Sequence, residues 1–300
     1  MGDGSLKSMV MVPMARAIRV LMTDIARTAK DDRPTMIAIS ALACILQDVL
    51  HEGLGHGVTA WLSGAQSMTI STVALQCDID TRWISANGTL VNLVFAGVFW
   101  ALLLRPQRYT PATRYFLVLA MMGNLFTSTG YFFFSGVFNF GDWAAVIKGL
   151  QPHWMWQLGL VVLGMVTYFA SMLLVAEKLK PFQAREDTSQ AKEEIVQTRQ
   201  ESSRRTRALC WTPYFTDGIL AGLGGSFNPL GLFYVIASAL PSTLGANAGL
   251  LSLPSMMRGW NRSEEEQVGK IERSVVWIAT AVVASLLFIF VLGRGLTVQR

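Results

Sequence analysis

Apolar residues run almost unbroken at about 35–60, 84–104, 115–137, 155–176 and 274–293. Each run is near the ~20 residues a helix needs to cross hydrocarbon. The pattern therefore predicts five membrane-spanning helices. Another apolar region, 217–257, is interrupted by Pro229, Pro241 and several glycines. It is too long for one span and barely long enough for two, so it reads as a hairpin or a broken helix. The expected fold class is an all-α polytopic membrane protein with about 5–7 transmembrane segments. Between the first two runs, "SMTISTVALQCDI" (67–79) alternates at Met68, Ile70, Thr72 and Ala74 and predicts a short strand-like segment, a hairpin edge.

Composition agrees with that picture. Hydrophobic residues make up 52% of the chain and charged ones 15%, and the mean hydropathy is +0.39. The formal charge of +5 lies in the connections between apolar runs, which argues for membrane topology and against a nucleic-acid partner. Cys44, Cys77 and Cys210 are far apart and form no CxxC pair, so neither a disulfide framework nor a thiolate metal cage is expected.

Residues 1–34 are basic, without a clean hydrophobic leader core, and predict a cytoplasmic or interfacial segment with an amphipathic surface helix in "MVPMARAIRVLMTDIARTA". "RPQRYTPATR" (105–114) and the polar stretch 178–212 are also basic, whereas 61–83 and 138–154 hold one basic residue each. This alternation places the N-terminus in the cytoplasm. The expected organisation is a membrane core at 35–177, a polar cytoplasmic linker at 178–212 and C-terminal membrane segments at 213–300.

One stretch breaks the apolar pattern. "QDVLHEGLGHGVTAW" (47–61) carries Asp48, His51, Glu52 and His56 inside the first span. Ionisable groups there cost roughly 2.5–3.5 kcal/mol each on insertion scales, so something must offset them. H-E-x-x-H places two imidazoles on one helical face with a glutamate between them, the zinc-protease arrangement. Here the histidines are five apart, about 140° round a regular helix. A π-bulge absorbs one extra residue, and Gly53 and Gly55 make the distortion less costly. A proton relay, an ion path or an interhelical hydrogen bond are the other uses of such a cluster.

Zinc would need a third protein ligand. His153 sits in an aromatic "QPHWMW" belt, Asp78 and Asp80 fall in a loop, and Asp48 is placed to orient an imidazole from outside the ligand set. Asp142, between Gly141 and Trp143 after an apolar span, is the strongest candidate.

The order of these parts resembles the site-2 protease family of intramembrane zinc metalloproteases. That family carries H-E-x-x-H in one span, then a strand-like segment, a small-residue A-G-P-x-x-N stretch and a later Asp ligand in an N-x-x-P…D-G context. The matching pieces are "HEGLGHG" (51–57), the segment 67–79, "ANGTLVNLV" (86–94, with Gly88 and Asn92) and "NFGDW" (139–143). The resemblance covers about residues 35–150. It departs in the displaced second histidine, in Thr89 at the proline position and in the absence of a proline before Asp142. The extended spacing is similar to that of the soluble dipeptidyl peptidase III family, where it is a working zinc site.

The resemblance implies Zn2+ held by His51, His56 and Asp142, Glu52 as general base, and hydrolysis of transmembrane protein substrates within the lipid bilayer. Asn92 and, more loosely, Asn228 would help hold a substrate strand, and the 67–79 edge would bind it by β-addition. The Gly/Pro-rich stretch 221–249 would line a cavity or gate, or pack helices closely through small residues. Two other readings share the site: a metal or proton transporter or protease-like binder, and a zinc hydrolase acting on lipid or a small amide.

Overall fold

The structure is a computed structural model that describes residues 30–183, 192–231, 233, 235–236, 240–259 and 267–300. The expected N-terminal surface helix and residues 184–191 of the polar stretch lie outside the described residues.

Five helices are long and apolar enough to cross a membrane: α1 (Arg33–Leu62), α2 (Arg82–Leu102), α3 (Pro111–Phe138), α5 (His153–Phe182) and α8 (Val275–Leu292). They coincide with the five apolar runs. Short α4 (Asp142–Ile147) joins α3 to α5. Helix α3 is the central one, with Val118, Ala120, Met121 and Phe126 at 0% exposure, and it packs on α1, α2 and α5. Helices α5 and α8 instead turn large apolar side chains outward, among them Val166, Phe169, Val275 and Val276. Apolar surface of that kind needs an apolar neighbour.

Helix α1 starts where Asp32 accepts hydrogen bonds from the Thr35 amide and hydroxyl, with Pro34 in its first turn. Those bonds hold the Asp32 carboxyl below its ordinary range.

Helix α6 (Lys192–Ser226) runs without a break across Pro213, so polar residues 192–211 and the apolar stretch after them form one helix. The chain then turns through Asn228–Gly231 and returns as a π turn (Pro241–Gly245), a 3₁₀ turn (Ala246–Ala248) and α7 (Gly249–Met256). Gly225 faces Val235, Gly218 faces Leu244 and Asp217 bonds Asn247, the order of an antiparallel hairpin. Of the two alternatives for 217–257, the hairpin is the one formed, and its returning arm is irregular.

Arg205, on the polar part of α6, ties the chain together. Its guanidinium forks onto Asp31 (2.8 and 3.0 Å) and also donates to the carbonyls of Phe182, Val268 and Gly269. Both partners are nearly buried, so removing one strands the other. Arg205→Met is expected to destabilise by about 3–5 kcal/mol, read as a lower unfolding midpoint of the solubilised protein. Arg205→Lys should recover only part, because an ammonium cannot reproduce the planar fork.

The strand-like segment forms β1 (Ser67–Ile70) and β2 (Leu75–Cys77), antiparallel with Met68 opposite Cys77. Thr72 and Ala74 fall in the connecting turn, where the Ser71 hydroxyl accepts from the amides of Val73 and Ala74. A third strand, β3 (Leu296–Gln299), pairs with β1. The sheet order β2-β1-β3 makes β1 its centre, so the exposed edges belong to β2 and β3. The expectation of a hairpin edge over 67–79 is corrected for 67–70, where β3 pairs with β1, while 75–77 remains an edge.

Candidate metal centre

Within α1, residues Val49–Gly57 form a π-helix, and the Val58 amide donates to the Gly53 carbonyl five residues back. The extra residue between His51 and His56 is absorbed there, which turns both rings to one side. Their centroids lie 4.7 Å apart at 90°. The glycines serve the site differently from the expectation. A Cβ on Gly53 would meet only Val49, whereas one on Gly55 would sit 2.5 Å from Gly88 Cα. Gly55 is required because α1 and α2 touch backbone to backbone beside the histidines.

Asp142 arrives from the far side of α3. Asn139 ends that helix in the left-handed conformation, and Gly141 (φ 84°) turns the chain back. Trp143, next to Asp142, donates its indole N–H to Thr89 Oγ1 (3.0 Å), which anchors α4 to α2. Thr89, at the position where the resemblance expects proline, thus supplies a tether for the segment that carries Asp142.

Three atoms converge. His51 Nε2 lies 3.1 Å and His56 Nε2 3.3 Å from Asp142 Oδ2, and the two nitrogens are 3.2 Å apart. Tetrahedral ligands with bonds of about 2.0–2.1 Å would stand roughly 3.3–3.4 Å apart. The opposite nitrogens are already engaged: His51 Nδ1 with Asn92 Oδ1 (3.2 Å) and His56 Nδ1 with the Ile84 carbonyl (2.6 Å). Both partners are acceptors, so each Nδ1 donates and leaves Nε2 with a bare lone pair. A single proton on His56 would serve Asp142 but leave His51 Nε2 facing the same point. A divalent cation serves all three. Burial disfavours charge on Asp142, a cost that a cation held among the three atoms would offset. Among the described residues, this is the one group of three His, Cys, Asp or Glu side chains that could hold a metal ion.

Glu52 is buried beside the histidines. Its Oε2 has no partner, and its carboxylate faces the backbone amide of Leu75 on β2. His51 and His56 are 4% and 5% exposed, whereas the Asp142 side chain retains 20%. The cluster is therefore closed on the α1 side and open beside Asp142.

Of the outer residues, Asn92, expected to hold a substrate strand, engages His51 Nδ1, and its Nδ2 also reaches the Gln47 carbonyl (3.4 Å). Asn92→Ala is expected to weaken metal binding about 10–100-fold, measured by competition with a chromogenic chelator. Asp48 does not orient an imidazole; Asn92 and Ile84 already fill both Nδ1 positions. Asn228 accepts from the Leu230 amide in the turn after α6 and bonds none of the cluster. Asp78 accepts from the Gln66 amide in its exposed loop, and His153 bonds Asn139. Three contributors had no sequence signal: the Ile84 carbonyl, the Thr89–Trp143 tether, and Tyr131, whose ring stacks on His51 at 5.2 Å. For β3, the alternating "LTVQ" after two glycines was a legible hint.

No protein-family model, curated protein or solved structure matches this chain.

Proposed function

We propose that the protein is an intramembrane zinc metallopeptidase that hydrolyses peptide bonds of membrane-embedded protein substrates. In this reading the five apolar helices cross a bilayer with the N-terminus in the cytoplasm. The observation that carries it is the meeting of two Nε2 lone pairs and a carboxylate oxygen beside a buried glutamate with a free oxygen. Two histidines and a carboxylate, with one side open, suit a catalytic zinc site. When bound, zinc supplies a Lewis acid that polarises a carbonyl and lowers the pKa of water from ~16 towards ~7.

The chain's own residues do the rest. Glu52 takes a proton from the attacking water and returns it to the amine as the C–N bond breaks. The Leu75 amide steadies the glutamate, Asn92 and the Ile84 carbonyl fix the imidazoles, and the Thr89–Trp143 bond holds Asp142 in reach. Closure by α1 and α2 limits bulk water on the inner side.

Purified wild type is expected to hold about one zinc per chain and to cleave a single-span protein in proteoliposomes. His51→Ala, His56→Ala and Asp142→Ala should lose both properties. Ion flux into liposomes without any cleavage would assign a transporter and overturn the peptidase reading.

A further inference from the structure

A second set of buried polar atoms lies away from the metal cluster. Asp217, on α6, is 3% exposed, and Asn247, in the 3₁₀ turn before α7, is fully buried. Asn247 Nδ2 donates to Asp217 Oδ2 at 3.1 Å. The bond leaves one oxygen over on each residue: Asp217 Oδ1 and Asn247 Oδ1 are both buried without a partner.

An ionised carboxylate only accepts, and so does an amide oxygen. With Asp217 ionised, the pair therefore holds two unsatisfied acceptors and an uncompensated charge in an apolar interior. The described residues place no cation against Asp217. It lines a crevice with Ser40, Cys44 and Gln47 that has no room for a water molecule. A metal cation would need several further oxygen ligands ordered around it, for which the crevice has no space. One proton on Asp217 Oδ1 removes the whole deficit. The acid O–H then donates to Asn247 Oδ1 while the amide N–H donates to Oδ2, leaving no polar atom over.

We infer that Asp217 and Asn247 form a proton-binding site, in which Asp217 carries the proton and donates it to Asn247, closing a neutral acid–amide ring across the C-terminal hairpin. The ring docks the irregular returning arm onto α6. Intramembrane carboxyls are costly and mark proton or ion sites, and breaks in helices recur at such sites. Among the described residues, the titratable groups around the pair are a thiol, phenols and a further acid, and none is a cation. Cys44, on α1, offers its thiol, a weak donor, to Asp217, and Asp48 lies one turn further along that helix; Tyr115, on α3, donates its hydroxyl to the Leu209 carbonyl, and Tyr168, on α5, donates its own to the Ala246 carbonyl. The other segments packed there, Pro241–Gly245, α7 and Phe288–Leu292, contain no titratable side chain. Release of the proton leaves a charge and two unsatisfied buried acceptors, which loosens the hairpin. The site stands independently of the metal cluster.

Infrared difference spectroscopy on the full-length protein in detergent at neutral pH tests this. Wild type minus Asp217→Asn should show a carboxylic-acid carbonyl band that shifts in D₂O. Asn247→Ala should move that band to higher frequency by removing its partner, whether or not the first variant folds. Asp217→Asn, whose amide supplies the missing donor, should fold and should lose the part of the wild-type midpoint's fall with rising pH that starts near the ordinary carboxyl pKa of about 4 and runs up to that of the folded acid. Carboxylate bands in place of the acid band, a fall of the midpoint above about pH 4 that is unchanged in Asp217→Asn, or a sodium-dependent rise in midpoint that Asp217→Asn abolishes would each overturn the proposal.

Discussion

Glu52→Gln is expected to reduce peptide hydrolysis by about 10²–10⁴-fold while zinc stays at the wild-type stoichiometry. The two readouts separate because Glu52 is not one of the three converging residues; it lies between them in the chain, buried, with Oε2 free. Glutamine has the same shape and keeps an oxygen for the Leu75 amide, so the fold should survive. What it loses is the ability to accept a proton. Zinc content by atomic spectroscopy, beside cleavage of a single-span substrate, reads both properties on one preparation. Cleavage within about twofold of wild type, where a base is worth at least 10², would remove Glu52 from the mechanism. Loss of zinc with loss of cleavage would mean that the glutamate belongs to the metal's coordination.

The second large effect comes from one hydrogen atom. Gly88→Ala would place a methyl 2.6 Å from His56 Cε1 and 2.8 Å from His51 Cε1, with His56 Nε2 also in contact. Rings on flexible side chains can often move aside. These are held from behind by Asn92 and the Ile84 carbonyl, so a shift breaks a hydrogen bond or turns Nε2 off the common point. Zinc affinity is expected to fall on the order of 100-fold, the upper range for losing ligand orientation. Gly97→Ala on the same helix, where an added Cβ meets nothing within 4 Å, is the control and should bind normally. Equal affinity for the two variants would show that the rings adapt, and that α2 is not a wall of the site.

These expectations show how unevenly the site was written into the sequence. The irregular spacing of "HEGLGH" was visible, and so was a π-bulge as its remedy, because ring direction along one helix depends on local residue count. Asp142 was reachable through the order of motifs. Asp48 was misjudged because closeness along a helix says nothing about which atoms a neighbouring helix offers. Asn92 on α2 and the Ile84 carbonyl had already taken the places it would have filled. The pairing of β3 with β1 brings together segments more than two hundred residues apart, and no local pattern specifies a partner at that distance.

The sequence by itself determined the five apolar helices, their order, and a cluster of ionisable groups that a membrane would not tolerate without compensation. Length and hydrophobicity are properties of each segment alone, so they could be read in one dimension. Only the tertiary structure decided that two Nε2 atoms and one carboxylate oxygen meet, that Thr89 tethers the Asp142 segment through Trp143, and that Asp217 finds Asn247. Such convergences depend on how closely two backbones approach, as Gly55 and Gly88 do, and a difference of one methyl group decides whether they can.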